Sequence, residues 1–85
     1  MTPQAQVHAA LARLARRSPL WRAAIPLIHV QVTRQTRTTA TVGNNLRINP
    51  QYAAGMAADD LDTLLAHTLG GIASIRDILA AEQRA

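Results

Sequence analysis

The spacing of apolar residues changes twice along this chain, and each change marks a change of element. Val7, Ala10, Leu11 and Leu14 recur three and four apart, which puts them on one face of a helix. Thr2 is suited to cap that helix and Pro3 to fill its first turn. Arg13, Arg16 and Arg17 fall on the other side and read as a solvated face. Ser18-Pro19 repeats the start signal, so a short second helix should follow and end before Pro26. It carries Leu20 and Trp21, and Trp21 is expected to anchor the core.

From Ile28 the period becomes two. Ile28, Val30 and Val32 point one way, and His29, Gln31 and Thr33 the other, as in a half-buried strand. His29 is expected in solvent. The polar run Gln35 to Thr38 turns the chain. Thr39 to Val42 is rich in β-branched residues and reads as a second strand. Gly43-Asn44-Asn45 is a turn, because Gly and Asn tolerate positive φ. Leu46 to Ile48 forms a third strand, which Asn49-Pro50 ends, since Pro lacks the donor a central strand needs. The expected unit is a small antiparallel sheet of about three strands.

Helical spacing returns after a connector over Gln51 to Met56, which has room for one helical turn. Leu61, Leu64, Leu65, Thr68, Leu69, Ile72, Ile75 and Leu79 keep one face from start to end. Asp59, Asp60 and Asp62 suit the positive end of the helix dipole. Gly70-Gly71 interrupts the propensity, at about 1 kcal/mol each relative to Ala. Because the period survives the pair, one long bent helix is expected, with two helices terminated at Gly70 as the alternative. The fold class is therefore α+β: an N-terminal helix pair, a small sheet and a long C-terminal helix packed on it, in a single domain over residues 1–85.

Composition narrows the chemistry. Without Cys there is no disulfide framework and no thiolate metal site. Charges interrupt every apolar run before it reaches membrane-spanning length. The N-terminus lacks the pattern of a secretory signal. A cytoplasmic protein with no membrane contact is expected. All nine basic residues are Arg. Residues 1–47 carry a formal charge of +7 and residues 48–85 a charge of −3. The acids are Asp59, Asp60, Asp62, Asp77 and Glu82. The basic half could face nucleic acid or an acidic protein. It could also face the acidic half, within the fold or across a homodimer, and that reading is preferred. Nucleic-acid sites add aromatic or Gly-rich elements beside the charge, and none is visible here.

The stretch Thr38-Thr39-Ala40-Thr41-Val42-Gly43-Asn44-Asn45-Leu46-Arg47-Ile48-Asn49-Pro50 precedes an acidic helix start and then Leu64-Leu65-Ala66-His67. This arrangement resembles the metallopeptidase domain found ahead of von Willebrand A-like domains in bacterial proteins. More loosely it is similar to the minigluzincins and the SprT-like peptidases. Arg17-Ser18-Pro19-Leu20-Trp21 resembles that domain's opening, and the likeness runs from about Leu11 to Ile75. The resemblance implies a helix bearing H-E-x-x-H. There, two imidazoles four residues apart share a face and bind zinc, while the Glu takes a proton from zinc-bound water.

Here the five positions read His67-Thr68-Leu69-Gly70-Gly71. The first His is present. Thr68 stands where the general base belongs, and an alcohol is not a useful proton acceptor near neutral pH. Gly71 stands where the second ligand belongs and has no side chain. His8 and His29 lack motif spacing. Asp77 would sit about 15 Å along a continuous helix and about 80° off the face of His67. No zinc, no other cofactor and no catalytic residue are expected. His67 is expected as a partly buried helix residue bonded to a carbonyl or water.

The sequence thus reads as a non-catalytic, metallopeptidase-like small domain acting through protein–protein contacts, as an adaptor or inhibitor. Peptidases of this frame bind substrate as a strand added beside the sheet edge, and a stripped version could keep that edge for a partner or for a second copy. One alternative is a nucleic-acid-binding module using Arg13, Arg16, Arg17, Arg22, Arg34 and Arg37. The other is a residual zinc-dependent hydrolase.

Overall fold

The computed structural model describes residues 2–84, and the side-chain surroundings as far as residue 81. Helix α1 covers Pro3–Arg17. The Thr2 side chain accepts a hydrogen bond from the Ala5 amide, satisfying one of the orphan donors of the first turn. The four apolar positions of its inner face, Val7, Ala10, Leu11 and Leu14, are all buried. Ser18 then caps α2, Pro19–Ala24, by accepting from the Leu20 amide. A single tight 3-10 turn, Ile25–Leu27, absorbs Pro26. Trp21 is half-buried and packs on the core.

The strands are β1 His29–Val32, β2 Thr39–Val42 and β3 Asn45–Ile48. They lie in the order β1-β3-β2, with β1 parallel to β3 and β2 antiparallel to it. The sheet is therefore mixed and not antiparallel. The reason lies in the side chains. Leu46 and Ile48 of β3 are fully buried, so β3 takes the central place, and Thr-rich β2 is left at the edge. The β1–β2 connection must then clear the end of β3. Asn49 fastens it there. Its backbone amide donates to the Thr38 carbonyl, and its Nδ2 donates to the Thr36 carbonyl at 2.9 Å.

Asn49 also opens the next element. Its Oδ1 accepts from the Gln51 and Tyr52 amides, capping α3, Pro50–Ala54. Pro50 thus ends the strand and starts a helix, where its missing donor costs nothing. Gly43, at φ 58°, makes the turn between β2 and β3.

The C-terminal part corrects the expectation of one long helix. Helix α4 spans Ala58–Leu69 and α5 spans Ala73–Arg84, and the axes of Ala58–Leu69 and Ala73–Ala81 differ by 94°. The last turn of α4 tightens: Gly71 N–H donates to the Thr68 carbonyl and Ile72 N–H to the Leu69 carbonyl, three residues back. Gly70 and Gly71 offer little helix propensity to resist this. The apolar period survived in the sequence because Leu69, Ile72 and Ile75 are buried on both sides of the bend. Helix α4 packs chiefly on α1, and α5 packs on α2. The core joins inward faces of α1, α4 and α5 with Ile28, Leu46 and Ile48 of the sheet layer. No single helix among the described residues is long and apolar enough to cross a membrane.

Candidate functional site: a sheet edge beside a half-buried arginine

The register of the sheet sorts its side chains into rows. Val30, Leu46 and Thr41 form one inward row, and Val32, Ile48 and Thr39 form another. On the outward face the rows are His29–Asn45–Val42 and Gln31–Arg47–Ala40. This face is open to solvent: His29, Gln31, Asn45 and Val42 are all exposed. Val42 stands out at 64% exposure, because it is an apolar residue on the outer face of an edge strand.

Backbone pairing fixes which groups β2 leaves free. Asn49 N–H bonds to Thr38 C=O, so by alternation the bonded pairs along the ladder are 47 with 40 and 45 with 42. The amides and carbonyls of Thr39 and Thr41 therefore point away from β3, along the outer edge. This edge strand is short, at four residues, but lacks two other common protections. It contains no charged residue and no Pro, and two of its four residues are Thr and one is Val.

Arg47 occupies the centre of the outward face. It is half-buried, and its Nε is shut off from solvent without a hydrogen-bond partner. Among the described residues it makes no ion pair. Its register neighbour on β2 is Ala40, whose methyl group leaves the row low between Arg47 and the open edge.

The basic residues read from the sequence sit in different surroundings. Arg13 projects from α1 onto buried Asp62 of α4, with Nε–Oδ2 at 2.8 Å and Nη2–Oδ1 at 2.7 Å. Arg17 adds a longer contact to Asp62 at 3.6 Å. Hydrogen bonding to Arg13 holds the Asp62 carboxyl below its ordinary pKa, against the opposing effect of burial. Arg13 is correspondingly raised by the same bond. So Arg13 is not part of a solvated face, and a contact between the basic and acidic halves occurs inside the fold. Arg16, Arg22, Arg34 and Arg37 are exposed, but on three separate segments: α1, α2 and the β1–β2 connection. Glu82 lies outside the described side chains.

The positions compared above with H-E-x-x-H are also separated by the bend. His67 is exposed on the last turn of α4, not partly buried as expected, and Thr68 is half-buried beside it. Gly71 lies beyond the end of α4, in the turn. Among the described residues no three His, Asp or Glu side chains gather where they could hold a metal ion. A cavity of about 170 Å³ opens between α1 and the start of α4, lined by Gln6, Ala9, Arg13, Met56, Ala58 and Leu61. It is mostly apolar, and His67 does not border it.

Sequence reasoning missed Asp62 and Arg47. Both carried a signal. Asp62 is three and seven residues before Leu65 and Leu69, so it belongs to the buried face of α4. Arg47 alternates with Leu46 and Ile48, which marks it as outward on the most buried strand. Compared with protein-family models, with curated proteins and with solved structures, the chain gives no match.

Proposed function

We propose that this chain is a non-catalytic binding module on a metallopeptidase-like frame, and that it engages a protein partner by strand addition along β2. The observation that carries the reading is the uncharged edge: outward amides and carbonyls at Thr39 and Thr41, and Val42 exposed beside them. Main-chain hydrogen bonds along such an edge supply affinity, and alternate side chains supply selectivity. The resemblance of Thr38–Pro50 and Leu64–His67 to a peptidase frame supports strand addition at a sheet edge, since peptidases of that kind lay substrate beside the sheet. Thr68 and Gly71 in the places of base and ligand favour binding over hydrolysis.

Residue-resolved amide exchange tests this. In the free protein the Thr39 and Thr41 amides should exchange quickly, while those of Ala40 and Val42, bonded to β3, are protected. A partner added as a strand should protect Thr39 and Thr41 selectively. Protection centred on α1 and α2 instead would place the binding surface elsewhere and end the proposal.

A further inference from the structure

The outward rows specify more than the location of an added strand. This step rests on the strand-addition reading and concerns what the added strand must carry. A strand beside β2 lies about 5 Å beyond it and so about 10 Å from β3. One of its residues falls in the Gln31–Arg47–Ala40 row, and the residue two places along falls in the His29–Asn45–Val42 row. Between Arg47 and the first of these lies only the methyl group of Ala40. A long acidic side chain and the Arg47 side chain can bridge that span from opposite ends. The second residue would rest against exposed Val42.

Charge supports an acid at the first position. Arg47 has no ionic partner among the described residues, and its Nε is already desolvated without a hydrogen bond. A guanidinium in that state gains more from a carboxylate than a fully hydrated one does. The surrounding sequence holds no counter-charge: residues 1–58 contain no acid. Arg34 and Arg37, both exposed in the connection that leads into β2, extend the positive field beyond its start. A second copy of this chain offers a poorer occupant. Its own β2 would present Ala40 or Val42 on the outward face, and no acid to Arg47.

We infer that the β2 edge selects an extended acidic segment, with a Glu facing Arg47 across Ala40 and a β-branched apolar residue two positions away against Val42. For a strand running antiparallel to β2, the apolar residue comes first and the Glu second. Further acids after the Glu would approach Arg37.

The test uses the full chain and two blocked synthetic peptides, Thr-Val-Thr-Glu-Thr-Glu and its Gln counterpart Thr-Val-Thr-Gln-Thr-Gln. Calorimetry should show the Glu peptide binding about tenfold more tightly, with the difference shrinking as salt rises. Arg47→Gln should abolish that preference, so that the two peptides bind alike. Arg47→Glu paired with a Lys peptide should restore the preference in reverse, which guards against a variant that only weakens the fold. Equal affinity of the parent for both peptides, with Thr39 and Thr41 protected in each complex, would overturn the acidic specificity and leave strand addition standing. Absence of binding by either peptide, or a stable dimer through β2 that excludes both, would overturn the inference. In the first of these cases the strand-addition reading goes with it.

Discussion

Arg13 and Asp62, 49 residues apart in sequence, meet as a two-pronged pair that joins α1 to α4, with the Asp62 side chain 2% exposed and the Arg13 side chain 32% exposed. The inequality matters. Loss of either partner strands the other, but only Arg13 can recover its solvation by turning outward. Arg13→Leu, which leaves a carboxylate buried beside only the distant Arg17, should therefore destabilise the fold more than Asp62→Leu. Denaturant unfolding of the two variants measures the order, and the reverse order would mean that Asp62 is not the constrained member.

The same pair sets an acid limb. The folded-state pKa of Asp62 is lowered by its hydrogen bonds to Arg13, whereas the unfolded value is near 4. Its stabilising contribution is thus fully present above about pH 4 and is lost as pH falls through the lower folded value. Asp62→Asn should flatten this part of the stability–pH curve while leaving the neutral region's slope alone. Thermal melts across the acid range would show it.

Gly43 is the one residue described with positive φ, and a Cβ built there meets nothing within 4 Å. The cost of Gly43→Ala should then be backbone strain alone, about 1 kcal/mol, or about 5 °C in Tm for a domain of this size. Gly43→Asn should cost less, because Asn adopts the left-handed region more readily. Equal losses for the two would point to a packing role instead.

The bend after Leu69 alters what an introduced zinc motif can do. On a continuous helix, Thr68→Glu with Gly71→His would set a second imidazole one turn from His67. Gly71 instead follows the tightened end of α4, and a Cβ there lies 3.3 Å from the Thr68 carbonyl. The double variant should bind zinc no better than the parent, by competition with a chromogenic chelator. A clear gain in affinity would mean that the turn re-forms as helix once the side chains are supplied.

Nucleic acid offers a separate check on the exposed arginines. Arg16, Arg22, Arg34 and Arg37 come from three segments, and the whole chain holds one Trp and one Tyr for stacking. Duplex binding should be weak, sequence-independent and strongly salt-dependent. Discrimination between two duplexes at physiological salt would favour a nucleic-acid function over strand addition.

Much of the fold was legible in the sequence, and the failures share a cause. Caps at Thr2 and Ser18, the inner face of α1, the alternation around Val30 and the Gly43 turn are local signals, and each holds in the structure. Strand order is not local. Nothing between Ile28 and Ile48 states that β3 enters beside β1, because the choice depends on how deeply each strand can be buried. The bend at Gly70-Gly71 was hidden because an apolar period reports burial and not direction, and both arms are buried. For the candidate site, the strand Thr39 to Val42 was visible but its place at an edge was not, and the row joining Arg47 to Ala40 exists only once the register is known.

The central place of β3 also governs when the sheet can exist at all. As the chain is synthesised, β1 and β2 emerge first, yet they are not neighbours and share no ladder. The native sheet offers them no hairpin with each other. Residues 28–42 gain their native sheet partners only when Asn45–Ile48 arrives between them. A nascent chain halted before Asn45 would hold two strands' worth of β-branched sequence and no sheet, which makes that interval the one in which capture by a chaperone or by another chain is easiest.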